Sequence, residues 1–225
     1  MSFHIKRTRT KDQKPMIQYN GIRSTIWATP EPGKSVREIQ TTHTPTKLQE
    51  IPDELNYLTP PPHWHWYQDE YFYITEGRYI FTLEGQDKTI SASDPQPQRI
   101  PAGARHTFKV DDTCESPCTI EISTIVSPRS PSTSPEEEGA NEKFFRNIYS
   151  YLDDCYVQGV SPKLPQLLLF LDSAEVSLAL PGPASIAKPV SWLLGVVVGR
   201  WIGGYLLGYK ASYDEYWNDD MKKVN

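Results

Sequence analysis

The fold of this chain is decided by one stretch, Pro62-His63-Trp64-His65-Trp66-Tyr67-Gln68-Asp69-Glu70. On a β-strand, residues two apart point to the same side, so His63 and His65 can direct both imidazoles at one point. Glu70 lies an odd number of residues later, and a continuous strand would place it on the opposite face. We therefore predict a bend within residues 66–69 that returns the Glu70 carboxylate to the side of the two histidines.

A second motif follows about thirty residues later, Pro101-Ala102-Gly103-Ala104-Arg105-His106. Pro and Gly at this interval are typical of a tight turn, which would deliver His106 at the start of a strand. Together the two motifs predict a site for one divalent metal ion, with His63, His65, Glu70 and His106 as ligands. Three imidazoles and one carboxylate leave two positions open on an octahedral ion, as a catalytic metal needs.

The two motifs resemble those of the cupin superfamily. Its first motif has His-x-His, four residues, Glu, six residues and Gly, and it matches His63, His65, Glu70 and Gly77. Its second motif, Pro-x-Gly-x-x-His, matches Pro101, Gly103 and His106. The resemblance implies that the three histidines and the glutamate bind the metal, and that two barrels pair as a homodimer.

This resemblance covers residues 57–126 and nothing after them. The chain departs from the family pattern at Tyr57, Pro95 and Val110, where the family often has Gly, Gly and Asn. Those positions shape turns and do not hold metal, so the ligand prediction is unaffected by the departures.

Short runs of β-branched and aromatic residues separated by turns predict a mainly β fold. The resemblance implies a cupin barrel, a double-stranded β-helix or jelly roll, over residues 1–126. Within it we interpret the Glu76-Gly77 step as a hairpin turn between two paired strands. After the bend that precedes Glu70, Phe72 and Ile74 are expected to share its inward face.

The amino-acid composition of the sequence changes after residue 126. Residues 127–140 are rich in Ser and Pro and predict a linker, followed by an α-helical C-terminal extension over residues 141–225. Apolar residues at helical spacing predict an amphipathic helix over residues 141–157. A second helix is predicted over residues 167–180, ended by Pro181-Gly182-Pro183.

A third apolar block follows, in which residues 190–209 contain one charged residue, Arg200. Gly195, Gly199 and Gly203 stand four apart, a spacing that lets helix backbones approach closely. Two interpretations stay open: a docked helix, or peripheral membrane association through residues 189–209. A central arginine opposes a spanning helix, because its insertion near the bilayer midplane costs about 3 kcal/mol.

Composition limits the partners and the compartment. A net charge of -5 would repel phosphate backbones, so no nucleic-acid partner is predicted. The three cysteines, Cys114, Cys118 and Cys155, are an odd and sparse set typical of a reducing compartment. The chain also begins without the apolar segment of a secretory signal. We expect a cytoplasmic protein, with membrane association as the alternative.

Aromatic residues are dense around the predicted site and indicate a hydrophobic or aromatic small-molecule substrate. They are Trp64, Trp66, Tyr67, Tyr71, Phe72, Tyr73, Tyr79, Phe81 and Phe108. Strand alternation must turn about half of them outward, and no general acid or base is assigned, because strand register decides which side chains enter the site.

Three functions stay open at this point. The favoured one is an oxidoreductase of the dioxygenase type with Fe(II), in secondary metabolism, since the chain is similar to small fungal-type cupins. Zn, Mn or Ni are the other metals considered. The first alternative is a non-redox isomerase, cyclase or lyase in which the metal acts as a Lewis acid. The second is a non-catalytic metal- or ligand-binding protein whose helical part contacts a membrane or a partner.

Overall fold

Two antiparallel sheets form the centre of the computed structural model, which describes residues 5–126 and 139–218. Their strands are β1 (Met16–Gln18), β2 (Arg23–Trp27), β3 (Val36–Thr42), β4 (His63–His65), β5 (Gln68–Glu76), β6 (Arg78–Leu83), β7 (Gln86–Ser91), β8 (Gln98–Ile100), β9 (His106–Val110), β10 (Cys118–Val126) and β11 (Val176–Leu178). The six-stranded sheet has the order β1-β2-β3-β10-β5-β8, and the five-stranded sheet has the order β11-β4-β9-β6-β7. The prediction of a mainly β fold is confirmed.

One part of the interior between the sheets is an apolar cluster, formed by alternate residues of the strands that point inward. Phe72 and Ile74 of β5 are buried, as predicted, beside Ile120 and Ile122 of β10. Across the interior, the ring of Phe72 lies 5.2 Å from that of Phe81 and 5.0 Å from that of Phe108, between ring centroids. This cluster lies next to the predicted ligands, because Phe72 follows Glu70 and Phe108 follows His106 by two residues on the same strand.

Gly77 does not form the predicted hairpin. It has a φ of +73°, and the chain does reverse there, but β5 pairs with β10 and β8 while β6 pairs with β7 and β9. The turn therefore passes from one sheet to the other. A Cβ on Gly77 would lie 2.2 Å from Cys118 Sγ, so both its conformation and its neighbour require glycine.

Helix α1 (Glu142–Val157) confirms the helix predicted over residues 141–157. Asn141 is its N-cap, since its side chain accepts a hydrogen bond from the Phe144 N–H. The helix contacts β2 and β3 of the large sheet, with Tyr149 donating to Glu38 of β3 and Arg146 lying over the Trp27 ring of β2. Three 3₁₀ turns, at Tyr19–Gly21, Pro45–Glu50 and Asp53–Leu55, complete the loops.

The second predicted helix is wrong in its C-terminal half. Helix α2 (Leu164–Ser173) ends before Ala174, and Glu175 takes a left-handed φ of 54°. The next three residues form β11, which pairs antiparallel with β4. Val176–Leu178 pairs with the edge of β4 that would otherwise be unpaired. This long-range contact could not be predicted from a local sequence pattern.

The division into barrel, linker and extension stays a prediction. Most of the predicted linker, residues 127–138, lies outside the described residues, while Gly139 and Ala140 are buried. Within the described residues the C-terminal part supplies a strand to the small sheet and a helix to the face of the large one.

The third apolar block forms α3 (Ala184–Leu194), which continues without a break into a π-helical segment (Gly195–Leu206). We call residues 184–206 the C-terminal rod. Among the described residues, none of the helices combines the length and the apolar character needed to cross a bilayer.

Candidate metal centre

The structure brings the four predicted ligands together. His63 and His65 point inward from β4, as their spacing predicts, and His106 of β9 is paired directly opposite His63. The chain bends at Trp66 and Tyr67, between β4 and β5, and enters the other sheet. Glu70 of β5 therefore faces the histidines across the interior, as the predicted bend requires.

The ligand atoms are close enough to share one ion. One atom from each of the four residues lies within 4.8 Å of the others. Glu70 Oε1 is 3.5 Å from His65 Nε2, and Glu70 Oε2 is 2.6 Å from His106 Nε2. Glu70 Oε2 and His106 Nε2 are both buried, and among the described residues their short contact lacks good hydrogen-bond geometry. Buried atoms of this kind are costly unless something coordinates them, which fits a metal site.

Each histidine is oriented through its other ring nitrogen. Nδ1 of His63 lies 2.9 Å from the Pro61 carbonyl oxygen, and Nδ1 of His106 lies 3.0 Å from that of Ala104. Nδ1 of His65 lies 3.4 Å from Gln68 Oε1. Because these oxygens accept a hydrogen bond, they favour the tautomer that is protonated on Nδ1 and leaves Nε2 free to bind a metal.

The environment sets the charges of the cluster. Burial lowers the pKa of His63 and of His65, which keeps these imidazoles neutral. Burial alone would raise the pKa of Glu70, but the imidazoles of His65 and His106 outweigh it and hold that pKa below its ordinary value. For His106, burial is outweighed by Glu70, which raises the pKa. An ionised carboxylate beside neutral imidazoles is the state that binds a divalent cation, which would replace the proton favoured at His106.

Burial indicates where the cluster opens. His65, Glu70 and His106 are 4%, 4% and 3% exposed, whereas His63 remains partly exposed. The side of His63 is therefore the one nearest to solvent.

The aromatic residues expected around the site divide between core and surface packing. Phe72, Phe81 and Phe108 belong to the core beneath the ligands. Trp64 lies on the outer side of β4, fully buried, with Lys188 of the C-terminal rod 5.5 Å from its ring centroid. These four side chains act mainly in packing.

Two groups were missed by sequence reasoning. Gln68 Oε1 accepts from the Ala140 N–H at 2.6 Å as well as lying against His65, so it links the ligand to the segment that enters α1. Glu38 is a fully buried carboxyl on β3 that accepts hydrogen bonds from Tyr149 and Gln40. Burial raises its pKa to about 7, against the opposing effect of those two hydrogen bonds. Strand alternation places Glu38 inward, but its partner on α1 lies 111 residues away.

Other candidate ligands are not part of the cluster. Cys114, Cys118 and Cys155 are free thiols. His43 is exposed and its Nε2 lies 2.8 Å from Ser24 Oγ. His4 lies outside the described residues.

Curated fungal proteins are similar to this chain over most of its length. The Hypocrea virens protein named probable oxidoreductase virH is 30% identical over 173 residues, which cover 73% of this chain and 70% of that protein. The Penicillium expansum protein named probable oxidoreductase patJ is 28% identical over 92% of this chain and 63% of its own length. The Aspergillus terreus epoxidase atD is 29% identical over 96% of this chain and 66% of its own length. The chain thus spans slightly less than two thirds of patJ and atD.

No protein-family model matches the chain. Among solved structures, the Schizosaccharomyces pombe Cnp3 cupin domain superposes with a TM-score of 0.35 at 8% identity, over 47% of this chain and 65% of that one. KdgF from Halomonas sp. superposes with a TM-score of 0.34 at 14% identity, over 51% of this chain and 94% of that one. Scores this low carry no weight alone, so the fold assignment depends on the two sheets and on the convergence of both motifs at one cluster.

Proposed function

This chain is a cupin and belongs to the same family as the fungal probable oxidoreductase virH, and from that premise we propose that it is a metal-dependent oxidoreductase. Its substrate in this proposal is a hydrophobic or aromatic small molecule of secondary metabolism. The observation that carries the proposal is the convergence of three imidazoles and one carboxylate, held by two facing sheets, on one buried point.

The donor set fits a divalent first-row metal, with His63, His65, Glu70 and His106 as its ligands. Imidazole suits Fe, Zn, Cu and Ni, and a His/carboxylate set with open positions is typical of non-haem Fe(II) oxygenases. We favour Fe(II), because the relatives are named oxidoreductases and an epoxidase. Bound there, the metal would supply adjacent positions for O₂ and substrate.

The chain's own residues prepare that site in three ways. The carbonyl oxygens of Pro61 and Ala104, with Gln68, hold the histidine rings in one tautomer and one orientation. Phe72, Phe81 and Phe108 close the barrel below the ligands and exclude water from that side. His63 is the least buried of the four predicted ligands, and in this proposal substrate enters from its side.

Metal analysis of the purified protein tests the first half of the proposal. We expect about one equivalent of metal in the wild type and a loss of at least tenfold in affinity for His65→Ala and His106→Ala. His43→Ala is the matched control, because it removes an exposed imidazole outside the cluster. Retention of the wild-type metal content by both cluster variants would refute the metal site.

Oxygen consumption tests the second half. The Fe(II)-loaded protein should consume O₂ in the presence of a suitable hydrophobic substrate from a fungal metabolite extract, and His106→Ala should not. Turnover under anaerobic conditions with Zn, Mn or Ni would instead establish the non-redox isomerase, cyclase or lyase. Metal binding without any turnover would favour the non-catalytic alternative.

A further inference from the structure

The C-terminal rod buries its small side chains and exposes its large ones. Its buried positions recur every four residues and are Ala187, Ser191, Gly195, Gly199 and Gly203. A Cβ on Gly199 would lie 2.8 Å from the backbone carbon of Leu168, and one on Gly203 would lie 2.7 Å from the Pro165 carbonyl oxygen. The glycine stripe thus packs against α2 within this chain, so the close helix approach that its spacing predicts is to α2.

The opposite face of the rod and its end are covered by large apolar side chains exposed to solvent. They are Ile186, Val190, Trp192, Leu193, Trp201, Ile202, Tyr205, Leu206 and Leu207, with exposures from 37% to 83%. A helix on a water-soluble protein shows the reverse pattern, with large apolar residues inward. Small residues between helices and bulky apolar residues outside are typical of helix pairs surrounded by lipid.

The rod is held so that only this face is free. Its middle is fixed to α2 by Arg200, whose Nε and Nη2 lie 2.7 and 3.0 Å from the Asp172 carboxylate. The chain after the rod returns to α1, where the Tyr213 N–H donates to Asn147 Oδ1 at 2.9 Å. A rod anchored along its length and beyond its end can offer its apolar face to a surface while the barrel stays on the other side.

Charge and residue type indicate which surface fits. The whole chain has a net charge of -5, but residues 184–210 contain three basic residues and no acidic one. Arg200 is neutralised by Asp172, whereas Lys188 is partly exposed beside the Trp64 ring and Lys210 is exposed, so the rod still carries a positive charge. Trp192, Trp201 and Tyr205 are residue types enriched where a bilayer meets water. Apolar side chains with interfacial aromatics and adjacent cations match an anionic phospholipid surface better than a protein partner.

We propose that the exposed face of the C-terminal rod docks this protein, in the plane of the membrane, on an anionic phospholipid bilayer. The proposal is independent of the metal and of the reaction, because it depends only on the rod and α2.

Vesicle flotation with the full chain tests it. The wild type should float with vesicles of phosphatidylcholine and phosphatidylserine, less with phosphatidylcholine alone, and less again at high salt. The triple variant Trp192→Gln, Trp201→Gln, Leu206→Gln should lose at least about tenfold in partition coefficient. The control Ile17→Gln, Ile26→Gln, Val157→Gln removes three exposed apolar side chains elsewhere and should float like the wild type.

Circular dichroism and metal content of both triple variants establish that they are folded. Equal flotation of the rod variant and the wild type, or no flotation of the wild type, would overturn the proposal. So would a wild-type dimer that becomes monomeric in the rod variant without any binding to vesicles, since a second copy of the chain would then cover the face.

Discussion

Gln68 connects the candidate metal centre to the rest of the molecule. Its Oε1 lies 3.4 Å from His65 Nδ1 and accepts the Ala140 N–H, and its Nε2 lies 3.4 Å from Thr124 Oγ1. The side chain is 2% exposed, so little else can replace these contacts. Orientation of His65 is therefore coupled to the segment that leads into α1.

Replacement of Gln68 by Ala should lower metal affinity by roughly ten- to a hundredfold, because His65 loses the acceptor that fixes its tautomer. Competition with a chelator measures the affinity. Gln49→Ala, at an exposed glutamine, is the control and should leave it unchanged. An unaltered affinity in Gln68→Ala would show that the ring of His65 is held by packing alone.

Glu38 should make the stability of the protein depend on pH. The folded protein holds this proton until its pKa of about 7, whereas the unfolded chain releases it near the ordinary value of 4.5. The unfolding free energy should therefore fall as pH rises from about 4.5 to 7 and level off above that, with up to about 3 kcal/mol from this group.

Denaturant unfolding of wild type and Glu38→Gln at several pH values measures this effect. The variant has no proton to release, so the difference between the two proteins should change through this window, while contributions from other groups, such as Asp153, cancel. A constant difference from pH 4.5 to 8 would contradict the raised pKa.

The convergence of the four predicted ligands could be predicted because most of it depends on local geometry. His63 and His65 need only strand alternation, and His106 needs only the Pro-Gly turn before it. The roles of Gln68 and Glu38 could not be predicted, since their partners lie 72 and 111 residues away in sequence. Such contacts exist only once the sheets and helix α1 have packed.

At the scale of the elements, β4 is short and pairs with a strand that lies more than a hundred residues later in the sequence. It shares one residue pair with β9, His63 with His106, but all three of its residues pair with β11. The Trp66 N–H donates to the Glu175 carbonyl at 2.9 Å and the Ala179 N–H donates to that of Pro62 at 2.7 Å. Because antiparallel bonds alternate, Ser177 is the residue of β11 whose N–H faces β4.

Ser177→Pro should therefore destabilise the protein by about 3 kcal/mol and weaken metal binding, because proline removes that N–H. Ser177→Ala is the control: it loses only the side-chain acceptor for the Trp66 indole and should be milder. Thermal unfolding and metal titration measure both effects. Equal behaviour of the two variants would mean that β11 is not needed to hold β4.

Substitutions at two glycines of the rod distinguish the effect of close packing on stability from the effect of helix propensity. Gly199→Ala should destabilise by about 1–3 kcal/mol, because its Cβ would press on the backbone of Leu168. At Gly204 the nearest atom to a Cβ is Leu169 Cδ1 at 3.9 Å, so Gly204→Ala should be neutral or stabilising by up to about 1 kcal/mol. Denaturant unfolding compares them, and a stable Gly199→Ala would show that α2 and the rod can separate.

Elements were predictable where their pattern is local. Apolar spacing alone predicts helix α1. It also predicts helix at Val176–Leu178, because these residues form a strand only through their pairing with β4. The turn at Gly77 was located correctly, but which strands pair across it depends on the closure of two sheets.

On the scale of the whole molecule, segments near the two ends of the described residues contact each other. Arg7 bonds to Glu215 at 3.2 Å and lies over the Tyr213 ring, and Thr8 donates to Asp154 of α1. The mainly β architecture and the existence of a helical C-terminal part could be predicted from composition and periodicity. The packing of these two parts against each other could not be predicted, because the helices contact the large sheet through residues far apart in the sequence.

The pairing of β4 with β11 also sets an order of events during synthesis. The ribosome releases the strand that carries His63 and His65 more than a hundred residues before the strand that pairs with it. Until residue 178 has left the exit tunnel, the two imidazoles lie on an incompletely paired edge, so the nascent chain should acquire its ion only after β11 has emerged.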